Sequence, residues 1–127
     1  MNAAAAMKQY QTVNNKAQVM EASPHRLIQM LMEGGLSRLA QARGAMVREQ
    51  TALKGDLISK AIAIICGLRE GLDMQKGGEV ASNLDGLYEF MVMRLIEANI
   101  KNEPEILDEV ADLLRNIKAG WDAIAEQ

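Results

Sequence analysis

Four features of this 127-residue chain are of a type that could do chemistry: one histidine, one cysteine, the Gly-Gly pair at 77–78 and a run of acids. His25 could accept a phosphoryl group, as some helical bundles do. That use asks for an exposed mid-helix imidazole beside a cation and a small residue. His25 instead follows Pro24 at the start of a helix, with Leu27 and Ile28 after it, and reads as a solvated residue. Cys66 lies between Ile65 and Gly67 in the most apolar stretch. With no His or Lys beside it to draw off the thiol proton, it reads as an inert core thiol. Gly77-Gly78 lacks the Lys-Ser/Thr that would make it a phosphate loop, and reads as a helix-ending turn. Glu103, Glu105, Asp108, Glu109 and Asp112 crowd the early turns of one helix, where acids complement the positive end of the helix dipole. No His or Cys has metal-ligand spacing and no Glu-x-x-His pair exists, so neither metal, cofactor nor enzyme activity is expected.

The elements that carry these residues are helices. Ser23-Pro24 reads as an N-cap followed by the first helical position, since the serine oxygen can take an orphan amide and proline has none to lose. Asn102-Glu103-Pro104-Glu105 reads the same way, with Asn102 as the cap. Between these marks, apolar residues recur every three or four positions in four segments: Pro24 to about Val47, about Ala52 to Met74, Glu79 to Ile100, and Pro104 to Ile124. Each would be about 30–36 Å long at 1.5 Å per residue. Matched lengths and short connections predict an all-α, antiparallel up-down four-helix bundle over residues 23–127. Residues 1–22 read as a flexible tail ending in a short helix near Asn15 to Glu21, too short to stand alone.

Composition agrees. Apolar residues make up 49% of the chain, yet only Trp121, Tyr10, Tyr88 and Phe90 are aromatic, so Leu, Ile, Val, Ala and Met must build the core. A single cysteine excludes an internal disulfide and suits a reducing compartment. No apolar run reaches the roughly 18–20 residues needed to span a bilayer, and Ala3 to Met7 is too short and lacks the preceding basic residues of a signal peptide. A cytoplasmic protein is expected. Residues 1–55 carry a net +4 and the remainder −7, but the basic half has no dense Lys/Arg cluster and no interleaved aromatics, so nucleic-acid binding is not expected.

Two features are unusual for a plain bundle. There are nine methionines, whose flexible thioether chains suit surfaces that accept varied peptides. Pairs such as Met30/Met32 and Met91/Met93 cannot share one face, because residues two apart sit about 200° around a helix. Glycines also fall inside the helices, at Gly34, Gly35, Gly44, Gly67, Gly71, Gly86 and Gly120, each costing about 0.5–1 kcal/mol against alanine. They either let helices approach closely or leave grooves for a guest.

The chain resembles the flagellar secretion chaperone family, FliS, over nearly its whole length. The matching stretches are Tyr10-Gln11-Thr12-Val13, Ala22-Ser23-Pro24-His25-Arg26-Leu27-Ile28 and Met30-Leu31, then Lys76-Gly77-Gly78-Glu79, Asn83-Leu84, Leu87-Tyr88, Arg94-Leu95, Ala98-Asn99, Leu113-Leu114 and Trp121. Where the family usually reads Tyr-Asp-Gly-Ala after Met30-Leu31, this chain has Met32-Glu33-Gly34-Gly35, which alters the contact surface of the first long helix. The resemblance implies a cytoplasmic chaperone that covers the disordered C-terminal segment of flagellin, prevents premature polymerisation and delivers it to a component of the flagellar type III export gate. It also allows for a regulator that competes for flagellin.

With a helix-in-groove mechanism, the expected flagellin contacts are Tyr10 and Val13 from the tail and Leu27, Ile28, Leu31 and Met32 from the first long helix. Ile58, Ile62, Ile65, Leu84 and Tyr88 complete the set. Exposed apolar grooves can also pair two copies of the chain when no guest is present. The rival functional class is a histidine phosphotransfer or signalling bundle centred on His25, and a third is a self-associating structural bundle.

Overall fold

A computed structural model describes residues 21–124. The expected tail contacts Tyr10 and Val13, and the short helix near Asn15 to Glu21, lie outside the described residues apart from Glu21 itself. Four helices follow in order: α1 (Pro24–Val47), α2 (Thr51–Glu70), α3 (Gly78–Lys101) and α4 (Pro104–Ala123). Among the described residues there is no strand. Helix α1 packs on α2 and α4, and α3 packs on the same two, so the helices close an up-down ring.

The start of α1 is as the sequence predicts. The Ser23 hydroxyl accepts a 3.1 Å hydrogen bond from the Arg26 amide, and Pro24 occupies the first turn. Three residues, 48–50, turn the chain into α2; Glu49 takes a left-handed φ of 59°, and the Gln50 amide donates back to the Ala45 carbonyl at 2.8 Å.

Two helix ends differ from the sequence reading. Helix α2 stops at Glu70 rather than running to Met74. The side chain of Asp73 takes amide hydrogen bonds from Gln75 and Lys76, which favours a turn over further helix. A Cβ on Gly77 would lie 2.5 Å from the Ala81 Cβ and 2.8 Å from the Asp73 carbonyl, and Gly78 has φ +53°, so this turn needs both glycines. Asn102, expected to cap α4, instead ends α3 in the left-handed conformation (φ 59°), its amide donating to the Ala98 carbonyl. Glu103 takes the N-cap place of α4 without a side-chain cap. Asparagine suits either position; the left-handed stop wins because the next residues must reverse direction within one step.

The core residues repeat at spacings of three, four and seven: Met32, Leu39 and Met46 on α1, Ile58, Ile65 and Leu68 on α2, Tyr88, Met91, Leu95 and Ala98 on α3, and Leu107, Val110 and Leu114 on α4. That repeat keeps one seam of each helix facing its neighbours. The methionine pairs split as geometry requires: Met91 is sealed and Met93 is 63% exposed. The glycines divide too. A Cβ on Gly35 would come within 3.1 Å of Leu114, so Gly35 serves close approach of α1 and α4, whereas a Cβ on Gly67, Gly86 or Gly120 would meet nothing within 4 Å. Cys66 is half-buried rather than sealed in the core.

Candidate functional site

Among the described residues, the core is open at one end of the bundle. The first turns of α1 supply Ile28 and Met32; the end of α2 and the turn after it supply Leu68, Gly71 and Leu72. The start of α3 supplies Val80, Leu84 and Tyr88, and the end of α4 supplies Asn116, Ile117, Gly120, Trp121 and Ile124. They enclose an open cleft of about 380 Å³ with an almost wholly apolar lining. Helix α2 ends at this cleft, and its C-cap Gly71, which has no side chain, is part of the lining.

The cleft's wall is fixed by contacts between the first turn of α1 and the last turns of α4. The Trp121 indole lies flat against the His25 imidazole, with centroids 4.7 Å apart and planes 13° from parallel. Its Nε1–H donates to the His25 carbonyl at 3.0 Å. One residue on, Asp122 accepts from Gln29 at 2.8 Å and from Lys118 at 2.7 Å. The Lys118 hydrogen bond, helped by Gln29, holds the Asp122 carboxyl below its ordinary value. His25 is therefore a half-buried stacking partner, not the solvated residue expected. That is also the opposite of a free mid-helix nucleophile.

The structure divides the expected contact residues. Ile28, Met32, Leu84 and Tyr88 all reach the cleft, Met32 and Tyr88 as its floor at 2% exposure. Burial raises the Tyr88 phenol above its ordinary pKa. Leu27 and Ile62 are half-buried, and Leu31 is exposed, outside the lining. Ile58 and Ile65 point into the sealed core, where a guest would have no access to them. Sequence reasoning missed Leu68, Leu72, Val80, Gly120, Trp121 and Ile124 as lining residues. Their periodicity marked several as core, and only the tertiary structure shows that they border the cleft.

A second apolar region runs along α3. Val80, Leu87, Phe90, Met93, Ile96 and Ile100 are all exposed large side chains on this one helix. Helix α4 has none within its bounds. Ion pairs stitch α3 to its neighbours beside these residues: Arg69 to Asp85 at 2.6 Å and Arg94 to Glu109 at 2.7 Å. The Arg69 hydrogen bond keeps the Asp85 carboxyl low, and Asp85 in turn raises the guanidinium. Among the described residues no group of acids, histidine and cysteine could hold a metal ion, and no helix is long and apolar enough to cross a membrane.

Comparison with known proteins fits this arrangement. Residues 6–127 match the sequence family described as flagellar protein FliS. The chain is 63% identical to the flagellar secretion chaperone FliSB of Pseudomonas aeruginosa over 125 residues, 98% of this chain and 99% of that one. It is 44% identical to the flagellar secretion chaperone FliS of Salmonella typhimurium, covering 98% of this chain and 93% of that one. It is also 44% identical to the flagellar secretion chaperone FliS of Vibrio cholerae, covering 93% and 87%.

Proposed function

Because this chain belongs to the FliS family, we propose that it is a flagellar secretion chaperone whose guest is the C-terminal segment of flagellin, held in the cytoplasm until export. The observation that carries the proposal is the apolar cleft, with six exposed large nonpolar side chains on α3 beside it. Nonpolar surface of this kind commonly marks a site for a partner.

The mechanism is passive. An unstructured amphipathic segment lays its nonpolar face into the cleft and along α3, becoming helical as it binds. Coupled folding of this kind buries about 1,000–3,000 Å² and gives up a few kcal/mol to ordering. The binding energy is burial of nonpolar area, so no nucleotide is consumed. While bound, the guest's polymerising segment is masked. Ile28, Met32, Leu84 and Tyr88 contact the guest inside the cleft, and Leu27, Leu31 and Ile62 flank it. The tail residues Tyr10 and Val13 compete with the guest for the same surface, which keeps release feasible at the export gate. A regulator that binds flagellin would draw on the same competition, and two empty copies can pair through their uncovered faces.

Titration calorimetry with a peptide of the flagellin C-terminus tests this. Saturable binding with a clearly negative heat-capacity change is expected; the absence of both heat and any gel-filtration shift removes the proposal. Deleting residues 1–13 should leave affinity unchanged or raise it, and a large loss would instead make the tail part of the binding surface.

A further inference from the structure

We propose that His25 is a positioning residue that keeps the cleft open by holding the Trp121 indole at its rim. The proposal rests on the cleft being the guest site, and it concerns how that site stays available.

The indole is the bulkiest side chain on the rim, is half-exposed, and borders a hollow of about 380 Å³. A swing inward would bury nonpolar surface on the ring and on the cleft wall together, which water favours. Besides its packing against the edge of the core, two contacts oppose that swing, and both come from one residue: the flat stack on the His25 ring and the hydrogen bond from Nε1 to the His25 carbonyl. His25 is itself well anchored, since Ser23 caps the turn it sits in and Pro24 precedes it. The spacing between α1 and α4 does not depend on the imidazole, because Gln29 to Asp122 ties the two helices one turn further along. Gly35 against Leu114 brings them together deeper in the bundle. Losing the ring would therefore leave the helices in place. The indole would lose its stacking surface and be held at the rim by a single hydrogen bond, which an inward swing exchanges for burial of the ring. An unoccupied cleft filled by its own tryptophan binds a guest only through the fraction of molecules in which the ring has swung out.

Trp121 is the only tryptophan in the chain, so its fluorescence reports the ring directly. In His25→Ala we expect blue-shifted emission, weaker acrylamide quenching, less binding of an apolar reporter dye such as anilinonaphthalene sulfonate, and an affinity for the flagellin C-terminal peptide about five- to tenfold lower, as when the open fraction falls to a tenth or a fifth. Helix content and melting temperature should stay close to the parent's. His25→Phe restores a flat stacking partner and should return all four readouts. If His25→Ala does not fold, His25→Leu, which keeps bulk without a stacking face, is read the same way. Parent-like emission and quenching in the folded variant would overturn the proposal, as would a red shift. Should the parent protein itself fail to bind the peptide, the flagellin reading falls, while emission and dye binding still decide where the indole goes.

Discussion

At one end of the bundle, α1 passes to α2 through three residues, and the Lys54 ammonium, 6% exposed, reaches across to α3. It donates to the Asn99 carbonyl at 3.1 Å and to the Asn102 side chain at 2.9 Å. At the other end, seven residues separate α2 from α3, and the side chains that face inward are nonpolar with open space between them. The Lys54 end uses a buried cation to satisfy a terminal carbonyl of α3 and hold the left-handed turn at Asn102. The cleft end is nonpolar apart from Asn116, and among the described residues no buried side-chain donor or acceptor is left without a partner. A bundle can carry a binding site at little structural risk when the vacancy is nonpolar and the polar end is fully paired. With the cleft as the proposed guest site, stability and binding are assigned to different ends of the same four helices.

That separation can be broken in four ways. The largest effect belongs to the sealed core between the two ends: Leu95→Ala should cost about 2–5 kcal/mol in chemical denaturation, because it leaves a cavity that packed neighbours cannot fill. Next, Lys54→Met should cost about 1–3 kcal/mol by stranding the Asn99 carbonyl and the Asn102 oxygen. Its peptide affinity, measured by calorimetry below its melting temperature, should match the parent's. A comparable loss of affinity would show that the two ends are coupled after all. Third, Gly120→Leu should change stability by no more than about 0.5–1 kcal/mol, since a new Cβ there meets nothing within 4 Å. It projects into the cleft, and peptide binding should weaken at least about tenfold, near the worth of one misfitted side chain. Normal binding by this variant would move the guest site elsewhere, most directly to the outer side of α3.

The smallest effect is a pH dependence. The carboxyls of Asp85, Glu97 and Asp122 are all held low, by hydrogen bonds from Arg69, from Lys101 and Arg94, and from Lys118 respectively. A depressed carboxyl contributes stability above its unfolded value and loses that contribution as pH falls through its folded value. The melting temperature should therefore be flat around neutrality and fall below about pH 4. All three side chains are partly exposed, so raised salt should blunt the acid slope. Lys118→Met should flatten it slightly and act only at the cleft end.

Much of this molecule was legible in the chain. Ser23-Pro24 marked the start of α1 because serine and proline each solve a problem that only a helix N-terminus has. The spacing of Met91, Leu95 and Ala98 placed α3's buried seam, and the divergence of Met91 from Met93 followed from the helical repeat alone. The match to the FliS family lay in the order of short motifs. The ambiguous parts were residues with two acceptable uses. Asn102 can open a helix or close one, and here it closes α3 while its side-chain oxygen accepts from Lys54, 48 residues away. Ile58, Ile65, Ile117 and Trp121 share the same kind of apolar spacing, yet the first two are sealed in the core and the last two border open space.

The sequence by itself determined which residues turn inward and where each helix begins, because helical period and capping act over a few neighbouring positions. Only the tertiary structure decided which inward residues are covered. Cover for one helix is supplied by another, and the point at which α2 ends relative to α1, α3 and α4 is a distance in space that no local pattern records.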